Sequence, residues 1–325
     1  MIDTVFNSLS QAVTIKKPFI EAKLVINGAS DNSYASDSKT PIHGEIEWAN
    51  NLDTKVNDLI ITAKISGNAV DRKTINAQQG FYNSFQDLIT WDKNSQDQFE
   101  EVNPGDSGYV SFSLSPLSLF SATGGILANP SININVSISG KQSVEGYTTN
   151  DLNNFQSSTI KIISDVGFAT KALYYSGPFT NVGPIPPKVE KQTSYTIVWS
   201  LSNTANNISK AQINSALPPW VRFVGPIFPA TEDLTYNANT KEIIWNVGGI
   251  PRGAGITEGG REVSFQVALT PSLSQVGTNP TVINNAILTG HDDFANVDVR
   301  VNKASLDTKL PGDSALPPLG DRVVP

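Results

Sequence analysis

Alternation with period two dominates this chain. In SININVSISG, Ile132, Ile134, Val136 and Ile138 interleave with Asn133, Asn135, Ser137 and Ser139. Ile243, Trp245 and Val247 share one face of EIIWNVG, and Val263, Phe265, Val267 and Leu269 share one face of EVSFQVAL. In NVDVRV, Val297, Val299 and Val301 alternate with Asp298 and Arg300. A strand patterned this way buries one face and wets the other, as antiparallel sheets require. No window carries a helical stripe of useful length; NSFQDLITWD comes nearest, and its end reads as strand. The runs are short, and NPGDSG, TGG, NAN, VGG, PRGAG and EGG punctuate them with turn chemistry. Many short strands with regular turns predict an all-β fold of the antiparallel sandwich type.

The pattern repeats. HGEIEWANN (43–51) aligns with YTIVWSLSN (195–203), placing Trp48 against Trp199. LITWD (88–92) aligns with IIWN (243–246), placing Trp91 against Trp245. GYVSFSLSPLS (108–118) aligns with REVSFQVALTPSLS (261–274), and NPSININVSISG (129–140) with NPTVINNAILTG (279–290). Four landmarks in one order at a nearly constant offset predict two copies of one β module. The expected division is a lead-in over 1–17, a first sandwich over 18–164, and a linker and first-strand region over 165–190. A second sandwich over 171–302 and a Pro-rich tail or linker over 303–325 complete it. GPIPPK, at 183–188, is expected to be stiff and extended.

Composition narrows the function. The 325 residues are 39% hydrophobic, enough for a packed core and too many for one small sandwich. A formal charge of −7 repels phosphate backbones, so nucleic acid is not an expected partner. With no cysteine, disulfides, thiolate chemistry and zinc–thiolate sites are excluded. The first residues lack a basic start followed by an apolar stretch, so no secretory signal is expected there. The long uncharged stretch between Asp106 and Lys141 is broken throughout by Ser, Asn, Gly and Pro, so no membrane-spanning helix is expected.

The second half carries a family likeness. ALPPWVRFVGP, LTYNANTKEIIWNVGGIPRG and REVSFQVALTP, in that order, resemble the conserved repeat domain found in tandem in bacterial surface proteins. The shared features are a Leu-Pro pair before a short β-branched strand, a strand ending in Trp-Asn, a Gly-rich turn and a Val-x-Phe-x-Val strand. The match spans about residues 190–290; the first copy lacks the Leu-Pro pair and its loops differ. The resemblance implies immunoglobulin-like sandwiches in an anchored bacterial parent protein, at the cell surface or outside the cell. The role it implies is structural or adhesive, as spacer or display stalk, and not enzymatic. Its motifs are structural and speak to fold and place more than to activity. A carbohydrate- or protein-binding accessory module is the alternative, and a serine hydrolase the remote one.

The hydrolase reading rests on PGDSG at 104–108, which spells the sequence around the trypsin-like nucleophile. A triad needs a histidine and an acid held against Ser107. Only His43 lies upstream, and period two puts it on the wet face with Glu45 and Glu47. Tyr109 and Val110 follow where that family has Gly-Pro. The second copy reads TEGGREVSF at this place, with no serine in register. A turn at Pro104 and Gly105 accounts for both copies, and no catalytic residue is expected.

Other constellations weigh similarly. His291, Asp292 and Asp293 are a metal-site candidate against a solvated loop, and the loop is the expectation. DKNSQD (92–97) lacks the glycine and glutamate of an EF-hand. Calcium at loops or at the domain junction is left open. No cofactor- or metal-binding residue is assigned. Trp48, Trp91, Trp199 and Trp245 are expected in the core. Trp220, in LPPWVRF, has no counterpart in the first copy and is the candidate for contact with a ligand such as a sugar face; Tyr174 and Tyr175, placed near the domain junction, are weaker candidates. The partner expected is thus a protein or glycan of open identity. GGIPRGAG (248–255) reads as a hairpin loop, with no Lys-Ser/Thr to make a phosphate cradle. Asn135-Val-Ser137 and Asn207-Ile-Ser209 fit the N-glycosylation pattern, which carries no information in bacteria.

Overall fold

The computed structural model describes residues 18–120, 125–144 and 147–325; the lead-in over 1–17 and most of the TGG turn at 123–125 lie outside the described residues. The first half contains β1 (Ile20–Ile26), β2 (Ser33–Ser36), β3 (Ile42–Asn50), β4 (Val56–Ser66), β5 (Asn76–Gln78) and β6 (Phe81–Asn83). It continues with β7 (Leu88–Trp91), β8 (Glu101–Val102), β9 (Ser107–Leu114), β10 (Ser131–Val144) and β11 (Tyr147–Ile162). The second half contains β12 (Val166–Leu173), β13 (Thr193–Asn203), β14 (Ile208–Ala216), β15 (Val221–Phe228) and β16 (Leu234–Tyr236). After these come β17 (Glu242–Ile250), β18 (Arg261–Leu269), β19 (Thr281–Ile283), β20 (Ala286–Asp292), β21 (Val297–Lys303) and β22 (Leu306–Asp307).

These strands build two immunoglobulin-like sandwiches. In the first, a sheet ordered β1-β3-β9-β5 faces one ordered β2-β11-β10-β4-β7-β6, with β8 on β4. In the second, β12-β13-β18-β15 faces β16-β17-β14-β20-β21. Pairing between strands is antiparallel except where β2 runs parallel to β11. Alternation decides what is inside. Along β3, Ile42, Gly44, Ile46 and Trp48 are buried while His43 and Glu47 stand in water. Each sandwich closes its own core, one around Trp48, Trp91 and Phe112, the other around Trp199, Trp245 and Phe265.

The cross-strand registers match the halves rung by rung. Ile61 lies between Trp91 and Ile138, as Ile213 lies between Trp245 and Leu288. On the other sheet the alignment of Trp48 with Trp199 needs correction. Trp48 pairs with Gly108 and Ile46 with Val110, but Trp199 pairs with Val263, the counterpart of Val110. Trp199 therefore occupies the rung of Ile46, and Leu201 that of Trp48. A slip of two residues keeps the same face, so period-two matching cannot detect it. The cores adapt locally. Phe112 lies over Gly44, where a Cβ would come 2.1 Å from the ring. Phe265 instead meets Trp199 edge-on, with ring centroids 5.0 Å apart.

Polar side chains close one edge and cross-link two sheets. Gln156 Oε1 accepts from Leu24 N–H, and Asn154 Nδ2 donates to Ile20 C=O, so β11 covers the free edge of β1. In the second sandwich Glu232 accepts from Trp245 Nε1 (2.8 Å) and from both Nε and a terminal nitrogen of Arg261. That fork ties β17 of one sheet to β18 of the other.

Residues 303–325 do not trail away as a tail. β22 pairs with β19. Leu310, Asp313 and Val323 are buried, and Val324 exchanges backbone hydrogen bonds with Pro187 and Val189. Ile185, of GPIPPK, and Leu316 each pack against the second core. Proline-rich sequence lacks alternation but still offers carbonyls and apolar rings, which suffice to dock an irregular segment.

Candidate functional site

Ser107 and His43 belong to neighbouring strands but not to one site. Ser107 pairs with Ala49 and His43 with Ser113, six positions along the ladder, or roughly 20 Å at the rise of a strand. Within PGDSG, Pro104–Asp106 form the turn and Ser107 begins β9: Gly105 has φ +80°, its N–H reaches Asn50 C=O, and Asp106 accepts from the backbone and side chain of Asn103.

The His291–Asp293 stretch separates into three roles. His291 Nδ1 lies 2.9 Å from Asp298 across the β20–β21 pair, and this carboxylate holds the imidazole above its ordinary value. Asp293 accepts from Ser209 Oγ on the surface. Asp292 is fully buried between the sandwiches. Its Oδ1 accepts from Phe294 N–H (3.0 Å) and Ala295 N–H (2.8 Å). Its Oδ2 accepts from Ser164 N–H (2.8 Å) and Asn206 Nδ2 (2.8 Å). Four N–H donors thus satisfy both carboxyl oxygens. Among the described residues no group of three or more His, Asp or Glu side chains is placed to hold a metal ion.

Around Asp292 the junction is closed. Ser164 Oγ donates to Asn203 Oδ1 (2.7 Å) and accepts from Ala205 and Asn206 N–H. Asn206 Nδ2 also donates to Ile162 C=O, and Asn129 N–H reaches Ala205 C=O. Ala205, from the second half, is fully buried within the first core. Lys161 lies 5.2 Å from the centroid of the Phe294 ring, adding a cation–π contact. Sequence reading missed Ser164, Asn203 and Asn206; the adjacent Asn-Thr-Ala-Asn-Asn at 203–207 is a polar run with nothing in its pattern to separate a buried junction from a wet loop.

The aromatic candidates also sort out. Trp48, Trp91, Trp199 and Trp245 are buried. Tyr174 and Tyr175 lie at the far end of β12 from the junction, not near it; their N–H groups both donate to Asp313, and Tyr174 Oη donates to Gly183 C=O. Trp220 is 39% exposed, and its Nε1 donates to Thr281 C=O (2.9 Å). Thr281 lines a groove of about 710 Å3 on the outer face of β14, β20 and β21, together with Gln212, Asn214, Asn284, Ile287, Thr289 and Arg300.

The class defined by this architecture is the tandem immunoglobulin-like β-sandwich. No family model matches the chain, and no characterised protein matches it in sequence. Among solved structures it is similar to the C-terminal domain of the Streptococcus pyogenes antigen I/II-family protein AspA. That likeness has a TM-score of 0.31 and 10% identity, over 88% of this chain and 99% of that one. It is also similar to a 35 kDa C-terminal fragment of the major pilin GBS80 of Streptococcus agalactiae, with a TM-score of 0.29 and 9% identity, over 88% and 91% of the two chains. For BcpA, the major pilin subunit of Bacillus cereus, the TM-score is 0.29 and the identity 7%, over 92% and 68%. Overlaps this loose carry no argument about activity. No helix among the described residues is long and apolar enough to cross a membrane.

Proposed function

We propose that this chain is a non-catalytic structural or adhesive module of a bacterial cell-surface or secreted protein, built from two copies of one sandwich. It acts as a spacer or display stalk. The observation that carries this reading is the closed junction, where Asp292 takes donors from both sandwiches and Ala205 enters the first core. Independent beads on a string need no such interface. A stalk that must hold outer parts at a fixed angle does, because burying a fully paired carboxylate makes any other relative orientation costly. The sandwiches supply the rest: each closes its core, so length is gained without a large shared fold.

Residual dipolar couplings from the two sandwiches test the rigidity. One alignment tensor should fit both, and two independent tensors would overturn the stalk. Location is tested by protease shaving of intact bacteria carrying the full gene. Peptides from this chain should be released before lysis; their release only after lysis would remove the surface assignment. A fluorophosphonate probe should leave Ser107 unmodified, and covalent labelling there would reinstate the hydrolase.

A further inference from the structure

We propose that the groove on the outer face of β14, β20 and β21 binds an acidic saccharide, with Arg300 taking the sugar carboxylate. One polar rung and one mixed rung cross this face. Gln212 pairs with Thr289 and Thr289 with Arg300; beside them Asn214 pairs with Ile287. Arg300 is the one charged residue lining the groove. Among the described residues no ion pair reaches it. Its Nε makes one long contact, 3.4 Å, to Asn302 Oδ1. Asp298, two positions earlier on the same face, is engaged by His291. The guanidinium fork is therefore free to take a carboxylate through two parallel hydrogen bonds.

The remaining groups suit a sugar ring. Gln212 is oriented by its hydrogen bond to Asn246 (2.8 Å), which is itself held by Asp233. Amides and a hydroxyl on fixed strands match the alternating donors and acceptors of vicinal hydroxyls, and Ile287 gives an apolar floor. Trp220, pinned to Thr281 on the rim and 39% exposed, offers an aromatic surface of the kind that packs on sugar C–H groups.

The fold itself does not demand this arrangement. At the same rungs the first sandwich has Ile60, Ser139 and Asn153 where the second has Gln212, Thr289 and Arg300. There no cation stands at the rung of Arg300, Ile60 is exposed, and the two lysines of the corresponding groove, Lys93 and Lys141, stand among Asp58, Asp92 and Asp151, with Lys93 paired to Asp58. The site is thus particular to the second sandwich, and it stands or falls separately from the stalk reading.

Calorimetric titration with hexagalacturonate, hexagalactose and hexaglutamate tests it, on the full chain and on the R300Q and W220F variants. Hexagalacturonate should bind with a Kd of roughly 0.1–1 mM, and R300Q should weaken it about tenfold. W220F, which keeps a ring and loses the rim hydrogen bond, should weaken it by a smaller factor. Arg300 is exposed, so the melting curve of R300Q should overlay that of the parent. Absence of binding at about 5 mM hexagalacturonate would overturn the proposal. So would unchanged affinity in R300Q, or hexaglutamate binding as tightly as the saccharide.

Discussion

Asn50 and Asn203 are the same residue in two settings. Asn50 ends β3 and Asn203 ends β13, each buried, with Nδ2 donating to three backbone carbonyls. For Asn50 these are Thr54, Val102 and Asn103; for Asn203 they are Asn206, Ile250 and Pro251. An amide has two N–H bonds, so one must be shared. The device fastens the strand end to the loop that crosses the mouth of the sandwich, at sites where carbonyls would otherwise be buried without donors.

Replacing either asparagine with alanine should therefore cost about 2–3 kcal/mol in chemical denaturation. N203A should be the more damaging, because Asn203 Oδ1 also holds the Ser164 hydroxyl at the junction. A loss below ~0.5 kcal/mol in both would show that water replaces the amide freely.

Asp292 is the centre of the junction, and D292N tests it with almost no change in shape. The new amide nitrogen must face N–H donors on one side, leaving at least one of them unpaired. We expect a loss of about 2–4 kcal/mol and faster hydrogen exchange at the Ser164 and Ala295 amides. Exchange in β3 and β9 should not change, since no donor to Asp292 comes from those strands. Unaltered exchange at Ser164 would show that the carboxylate is not what holds the junction.

Gly44 should tolerate no side chain. A Cβ there would meet Phe112 Cζ at 2.1 Å, Cε1 at 2.3 Å and Cε2 at 2.7 Å. G44A should destabilise by ~3 kcal/mol, and F112L added to it should recover part of the loss. Additive losses in the double variant would mean that the two sites do not share space.

His291 provides a pH signature. The hydrogen bond to Asp298 is the first cause of its raised value. With the folded-state value raised, the pair's contribution is complete below the unfolded imidazole value of about 6.5 and fades as pH climbs through the folded one. The chain has only two histidines, so proton NMR can follow each. D298N should return the His291 midpoint to the ordinary range, and an unmoved midpoint would discard this assignment.

Much of the fold was legible in the chain itself. Alternation fixed which face of β3, β10 and β17 enters the core, and glycine- and proline-rich turns marked where strands stop; β18 departs from it, because its second face, Ser264, Gln266 and Ala268, is buried as well, with Gln266 donating to Thr180 and Asn181. It also set His43 on the wet face, and Pro104 and Gly105 marked the turn before β9. These are local consequences of strand geometry, readable from one segment at a time. Rung and partner are different. Trp199 and Trp48 satisfy the same period-two rule at positions two residues apart, and only the hydrogen-bonded neighbours separate them. The Pro-rich end shows no period, yet it docks through Asp313, Val323 and Val324. Asp292 reads as a loop acid and becomes a buried bridge, because its four donors come from segments as far apart in sequence as Ser164 and Ala295. Face is written in sequence because it depends on the parity of position; register, docking and junction were decided by tertiary structure, because they depend on which distant backbone groups must be satisfied once water is gone.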